Sequence, residues 1–237
     1  MIENYLKTYK DTFESQHVLM VPDNHQAHNP DPEYWAILLG DVKFNPEKWK
    51  GKKAFDFGCG CGRNLYNLST LAEWERIDGC DISRSNANYA KEWFDEKNTT
   101  AAVCQTWENN GDYIQPIQHT YEWNLPYKYD FIMSHIVFQH ISNYNVRLSL
   151  MKDMYEGLNE GGLCSLHFMD LGDSVPYFEN SNKWLNCRVE NEQYLVDDFN
   201  KIGFKNVSIE TVPVSYMDNT LRFHEKILQK ISQHLVG

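Results

Sequence analysis

The sequence predicts an α/β protein: a doubly wound, mostly parallel sheet with helices on both faces, preceded by a helical segment. Three observations predict it. From Lys53 onward, apolar runs of strand length alternate with helix-patterned stretches, the mark of crossover units. Two of those runs, around "FIM" and "LCSL", are almost continuously apolar, as suits strands covered on both faces. The first run leads straight into "AFDFGCGCGRN", where glycines at 58, 60 and 62 make a turn from strand to helix.

The elements follow in order. "IENYLKTYKDTFES" carries Ile2, Tyr5, Leu6, Tyr9 and Phe13 at helical spacing and predicts an amphipathic helix. "VPDNHQAHNPDPEYW" is rich in Pro, Asn and Asp and predicts a loop, with a further helix from Pro32 through Leu39. "FNPEKWKGKK" is a turn-rich lead into the first strand. Strands are then expected in "KAFDFG", "RIDGCDI", "TAAVCQTW", "YDFIMSHI" and "GLCSLHFM", and helices in "RNLYNLSTLAE", "SRSNANYAKEWFDEK" and "NVRLSLMKDMYEGL". "NEQYLVDDFNKIGF" predicts a helix ending at Gly203, and "KNVSIETVPV" a further strand. Beyond it, "NTLRFHEKILQKI" has a helical pattern and "SQHLVG" is short for a strand, so the far edge of the sheet is left open.

Bulk properties narrow the classes. The chain has 237 residues, enough for one well-filled domain. Its net charge of −11 argues against nucleic acid, whose binding relies on Lys and Arg displacing counterions. Six scattered cysteines do not resemble a disulfide framework, and "MIENYLKTYK" lacks the apolar core of a signal peptide. No stretch approaches membrane-spanning length. A soluble cytoplasmic protein with reduced thiols is expected.

The glycine loop points to its ligand by charge. A dinucleotide fingerprint is spaced G-x-G-x-x-G, whereas Gly58, Gly60 and Gly62 are spaced G-x-G-x-G. Asp56 stands in the strand just before them, where a carboxylate repels a pyrophosphate and attracts an ammonium group. Asp81, in "GCDISRSN", ends the second strand about twenty residues on, where an acid accepts the hydroxyls of a ribose. A ribose with a cationic, phosphate-free substituent is S-adenosylmethionine.

"AFDFGCGCGRN", "GCDIS", "YDFIMSHIVFQHI" and "LNEGGLCSLHF" resemble the ordered motifs of the class I, seven-strand S-adenosylmethionine-dependent methyltransferases, from about Gly51 to Val214. The resemblance implies a Rossmann-like cofactor domain over 51–237 and an N-terminal lid over 1–50. It implies that Asp56 meets the methionine ammonium and that Gly58, Cys59 and Gly60 pack against the amino-acid and ribose moieties. Gly62 and Arg63 close that loop and complete the cofactor set. Asp81 takes the ribose and Ile82 the adenine face. The polar residue that reads the adenine amino group falls at Asn110 or, second, Asp112. Ser134 and His135 follow the fourth strand, beside the sulfonium. The last, antiparallel strand of that family has no clear counterpart in the sequence.

Several residues carry two readings. Cys59 and Cys61 form C-x-C, which suggests a metal or, with no further ligand pair nearby, two small side chains packed under the loop. His25 and His28 in "HQAH" lie in a Pro/Asn-rich loop, and no metal is expected there. His140 in "FQHIS" is expected at the start of the helix after the fourth strand, as a general base or as a packing and capping residue. His135 and His167 pose the same question more weakly. Tyr5, Tyr9, Phe13, Tyr34, Trp35 and Trp184 are read mostly as core, with a second reading for some in the N-terminal segment as the lining of a pocket over the sulfonium, held by cation–π attraction.

The expected function is methyl transfer to a nitrogen or oxygen of a small-molecule acceptor, with contacts from "FMDLGDSVPYFEN". Rival readings are a NAD-dependent oxidoreductase, a module that binds S-adenosylmethionine without turnover, and a protein or peptide methyltransferase.

Overall fold

The computed structural model describes residue 39 and residues 41–97, 104–106, 128–169, 175–181, 187–214 and 223–227. The helix expected over 2–15, the one expected over 32–39 apart from Leu39, and the aromatic residues singled out in that region and at 184 lie outside them, as do His25 and His28.

After a helical turn at Asp41–Phe44 and a 3-10 turn at Pro46–Trp49, five strands and their crossover helices follow the expected alternation. They are β1 (Lys53–Phe57), α1 (Arg63–Leu71), β2 (Arg76–Cys80), α2 (Arg84–Lys97), β3 (Cys104–Thr106), β4 (Tyr129–Ser134), α3 (Tyr144–Gly157) and β5 (Leu158–Leu166). The spatial order is β3-β2-β1-β4-β5, and every neighbouring pair is parallel. The chain therefore winds outward from β1 in one direction and from β4 in the other. That reversal opens a crevice above the carboxyl ends of β1 and β4, where ligands of such sheets bind.

Both faces of the sheet are covered, which explains the near-continuous apolarity of the strands. Adjacent residues of β1 alternate between two cores. Phe55 and Phe57 pack with Phe138, Leu150, Met154 and Phe199. Ala54 packs with Leu65, Leu68, Trp74, Trp93 and Phe131. Helix ends match their sequence signals. Ser83 Oγ accepts the Asn86 N–H at 3.2 Å at the start of α2, and Asn143 Oδ1 accepts the Val146 N–H at 3.2 Å at the start of α3.

The far edge differs from the sequence reading. After β6 (Phe168–Met169) and α4 (Glu192–Ile202) come β7 (Glu210–Val214) and β8 (Phe223–Ile227). The segment read as helical is thus a strand over Phe223–Ile227. It lies between β6 and β7 and is antiparallel to both. It has backbone partners on β7 along its length and on β6 at Glu225 and Lys226, and this tertiary pairing outweighs the local helical pattern. A second correction concerns His140. It closes a 3-10 turn at Phe138–His140, and α3 begins only at Tyr144, behind the Asn143 cap.

Candidate functional site

The loop after β1 is built by positive φ angles: Gly58 at +74°, Gly60 at +55° and Gly62 at +97°. Its amides turn inward. Gly58 and Cys59 both donate to the carbonyl of Cys80, at 2.8 and 2.9 Å, and Gly60 donates to Asp81 Oδ2 at 2.8 Å. A phosphate cradle needs such N–H groups aimed at the ligand. Here three of them are already used by the end of β2, so the loop suits a ligand that packs on it rather than an anion.

Gly58 also has a steric role. A Cβ on it would lie 2.2 Å from Cγ2 of Val137, so the loop after β4 rests directly on the glycine.

Asp81 is buried and well supported. Its Oδ2 takes the Gly60 N–H, and its Oδ1 takes the Ser83 N–H at 2.9 Å. A carboxylate oxygen can accept more than one hydrogen bond, which suits this pair to two neighbouring hydroxyls. Ser83 was missed as a support, although "DIS" followed by a helical pattern carries the signal of a capping turn.

Asp56 is the opposite case. It is fully buried, and neither carboxylate oxygen has a hydrogen-bond partner among the described residues. Burial pushes its carboxyl well above the usual range; the Arg63 guanidinium pulls the other way, and the Asp81 carboxylate adds repulsion. Such a group has a strong appetite for a cation.

Arg63, the first residue of α1, is buried beside it and approaches His135 Nδ1 through Nη2 at 3.3 Å. Arginine only donates, so His135 Nδ1 accepts there and its hydrogen sits on Nε2. The Ser134 hydroxyl donates to the Phe57 carbonyl at 2.9 Å and ties β4 to the end of β1.

The structure therefore brings together Asp56, Gly58, Cys59, Gly60, Gly62, Arg63, Asp81, Ser134 and His135 around one crevice. Ile82 packs against the Phe55 core beside Asp81. His140 is half-buried in its 3-10 turn, with Nε2 3.3 Å from the Gln139 amide nitrogen. Asn110 and Asp112 lie outside the described residues.

The C-x-C pair is buried under the loop. Cys59 Sγ donates to the Gly60 carbonyl and Cys61 Sγ to Asn86 Oδ1, both at 3.6 Å. Burial and then the Asp81 charge push the Cys61 thiol up to about 12, so it carries its proton at neutral pH. Among the described residues no group of three or more His, Cys, Asp or Glu is placed to hold a metal, and no helix is long and apolar enough to cross a membrane.

A family model described as a methyltransferase domain matches residues 55–164. No curated protein matches the sequence at a significant level. Among solved structures, the magnesium protoporphyrin IX methyltransferase of Synechocystis PCC 6803 with bound S-adenosylmethionine superposes with a TM-score of 0.64 at 15% identity. The match covers 97% of each chain. Phosphoethanolamine N-methyltransferase 2 of Haemonchus contortus, also in complex with S-adenosylmethionine, gives a TM-score of 0.61 at 13% identity over 94% of this chain and 60% of that one. TehB from Haemophilus influenzae gives 0.54 at 20% identity, covering 90% of this chain and 67% of that one. At these identities the structures establish the fold, and the matched model adds the domain. Residues 55–164 thus match the model of a methyltransferase domain, and the chain has the fold of the methyltransferases superposed on it.

Proposed function

We propose that the protein transfers a methyl group from S-adenosylmethionine to a nitrogen or oxygen atom of a small-molecule acceptor. The observation that carries this reading is Asp56. A buried carboxylate without a partner among the described residues, at the switch point of the sheet, fits a ligand bearing an ammonium group. Asp56 would receive the ammonium of the methionine end, and the adjacent Arg63 its carboxylate. Asp81 would hold the ribose hydroxyls, with Ile82 against the adenine face and the 58–60 backbone beneath the ribose. Asn110 or Asp112 would read the adenine amino group.

The bound sulfonium supplies an already electrophilic methyl. The work left to the chain is to orient the acceptor in line behind it and to exclude water. The N-terminal segment, apart from residues 46–50 packed at the amino ends of β1 and β2, would cover the crevice as a lid, and the segments after β4 and β5 would complete the acceptor pocket. A hydroxyl acceptor needs a base, whereas an amine needs only to arrive deprotonated. His140, and second His135, are the candidates for taking that proton.

Calorimetry with S-adenosylhomocysteine and NAD tests the ligand, and release of S-adenosylhomocysteine from S-adenosylmethionine plus a metabolite extract tests turnover. Tight uptake of the adenosyl ligand, indifference to NAD and turnover are expected. Binding of NAD alone would overturn the reading, and binding without turnover would mark a cofactor-binding module. Turnover unchanged in His140→Ala across pH would remove the base.

A further inference from the structure

The turn between β4 and the 3-10 helix contains a backbone conformation that its residue type disfavours. Ile136 has φ +58°, the left-handed region, and it is β-branched, the kind of residue for which that region is a genuine outlier. Such a conformation persists only where its surroundings over-determine it. Its two neighbours in sequence both face the crevice machinery: His135 contacts Arg63, and Val137 fills the space that a Cβ on Gly58 would take. The left-handed residue is what turns the chain so that both contacts are made.

The partner that holds it is one bond away. The Ile136 N–H donates to His167 Nδ1 at 2.9 Å, while the His167 N–H donates to the Ser134 carbonyl at 3.0 Å. His167 is the single residue between β5 and β6, it is buried, and its ring lies 5.3 Å from that of His135. It therefore grips the β4 turn at the outlier itself and two residues before it.

We propose that His167 is a positioning residue: by accepting the Ile136 N–H it holds the β4 turn in its left-handed form, seating Val137 on Gly58 and so setting the glycine loop for the cofactor. This inference rests on the reading of that loop as the cofactor site. His167 touches neither cofactor nor acceptor in this scheme. Its effect reaches the loop through Ile136 and Val137.

The test is binding of S-adenosylhomocysteine by calorimetry, with thermal melting alongside. His167→Ala should weaken binding about tenfold, the scale of a strained residue released from its restraint. His167→Asn places an acceptor oxygen where Nδ1 was and should restore binding to within about threefold of wild type. Ile136→Gly, which adopts the left-handed region freely, should bind nearly normally and should rescue His167→Ala in the double variant. Rescue by glycine at 136 is an effect that a purely space-filling role for the imidazole would not produce.

Unchanged binding in His167→Ala, or a double variant no better than His167→Ala, overturns the proposal. If His167→Ala does not fold, His167→Asn and Ile136→Gly decide: near-normal binding in both supports it, and a loss beyond about tenfold in either overturns it. A wild-type protein that ignores S-adenosylhomocysteine would instead strike at the cofactor reading itself.

Discussion

Asp56 and Asp81 border the same glycine loop, and both are buried, yet their surroundings are opposite. Asp81 accepts two backbone N–H groups, from Gly60 and Ser83, and is part of what shapes the loop. Asp56 has no hydrogen-bond partner among the described residues and is pushed toward its neutral form by burial. One carboxylate is committed to the fold by its backbone partners. The other costs the free protein stability, and a cationic ligand recovers it. A buried polar group that is left unsatisfied marks a place where something binds more clearly than one that is well bonded.

The largest expected effect removes the frame that both carboxylates share. In Gly58→Ala the new Cβ meets Val137 at 2.2 Å on a backbone at φ +74°, so a loss of about 3 kcal/mol or more in stability is expected. Thermal melting and calorimetry should show binding lost with it; a variant that melts and binds like wild type would contradict the close approach.

Asp81→Ala comes next. It should weaken S-adenosylhomocysteine binding by about 1–3 kcal/mol, the scale for lost hydrogen bonds to a charged group and for donors left without an acceptor. Stability should fall together with affinity, because the Gly60 and Ser83 amides lose their acceptor. Affinity unchanged in calorimetry would remove the ribose role.

Asp56→Asn should separate the two quantities. Affinity should drop, while denaturant unfolding at neutral pH should show the free protein to be more stable than wild type, since a buried charge no longer has to be desolvated. A fall in both would make the two aspartates alike and break the contrast.

The smallest effect is in pH dependence. Because folding raises the Asp56 value above the ordinary 3.8, the native state binds more protons than the unfolded chain in the window above 3.8 and up to the raised value. Stability should therefore decline as pH rises through that window, and Asp56→Asn should lack this component of the slope. Cofactor binding in the same window should release a proton, visible as a dependence of binding enthalpy on the buffer. Equal pH slopes in wild type and variant would refute the link.

Much of the site was legible in the sequence. Gly58, Gly60, Gly62, Asp56 and Asp81 sit at strand ends that hydrophobic patterning located well, and their charges pointed to the ligand class before any geometry. The turn after β4 was not legible. Nothing in "SHIVFQHIS" announces that Ile136 is left-handed, that Val137 lies on Gly58, or that His140 precedes the helix by several residues. His167 was one histidine among several until its ring was found on the Ile136 amide. The strand Phe223–Ile227 was misread for a related reason: it pairs with β7 on one side and with the distant β6 on the other, and local pattern says little about such pairing.

What the amino-acid order determined unaided was the alternation of strands and helices, the turn chemistry of the glycine loop, and the sign of the charge at each strand end. These depend on residues close together in the chain, where hydrophobic period and backbone preference act directly. Tertiary structure alone decided which carboxylate is bonded and which has no hydrogen-bond partner among the described residues, how the β4 turn leans on the loop, and that the last strand pairs between β6 and β7. Those outcomes depend on groups distant in sequence meeting in space, and it is burial at the meeting point that sets the energy of each.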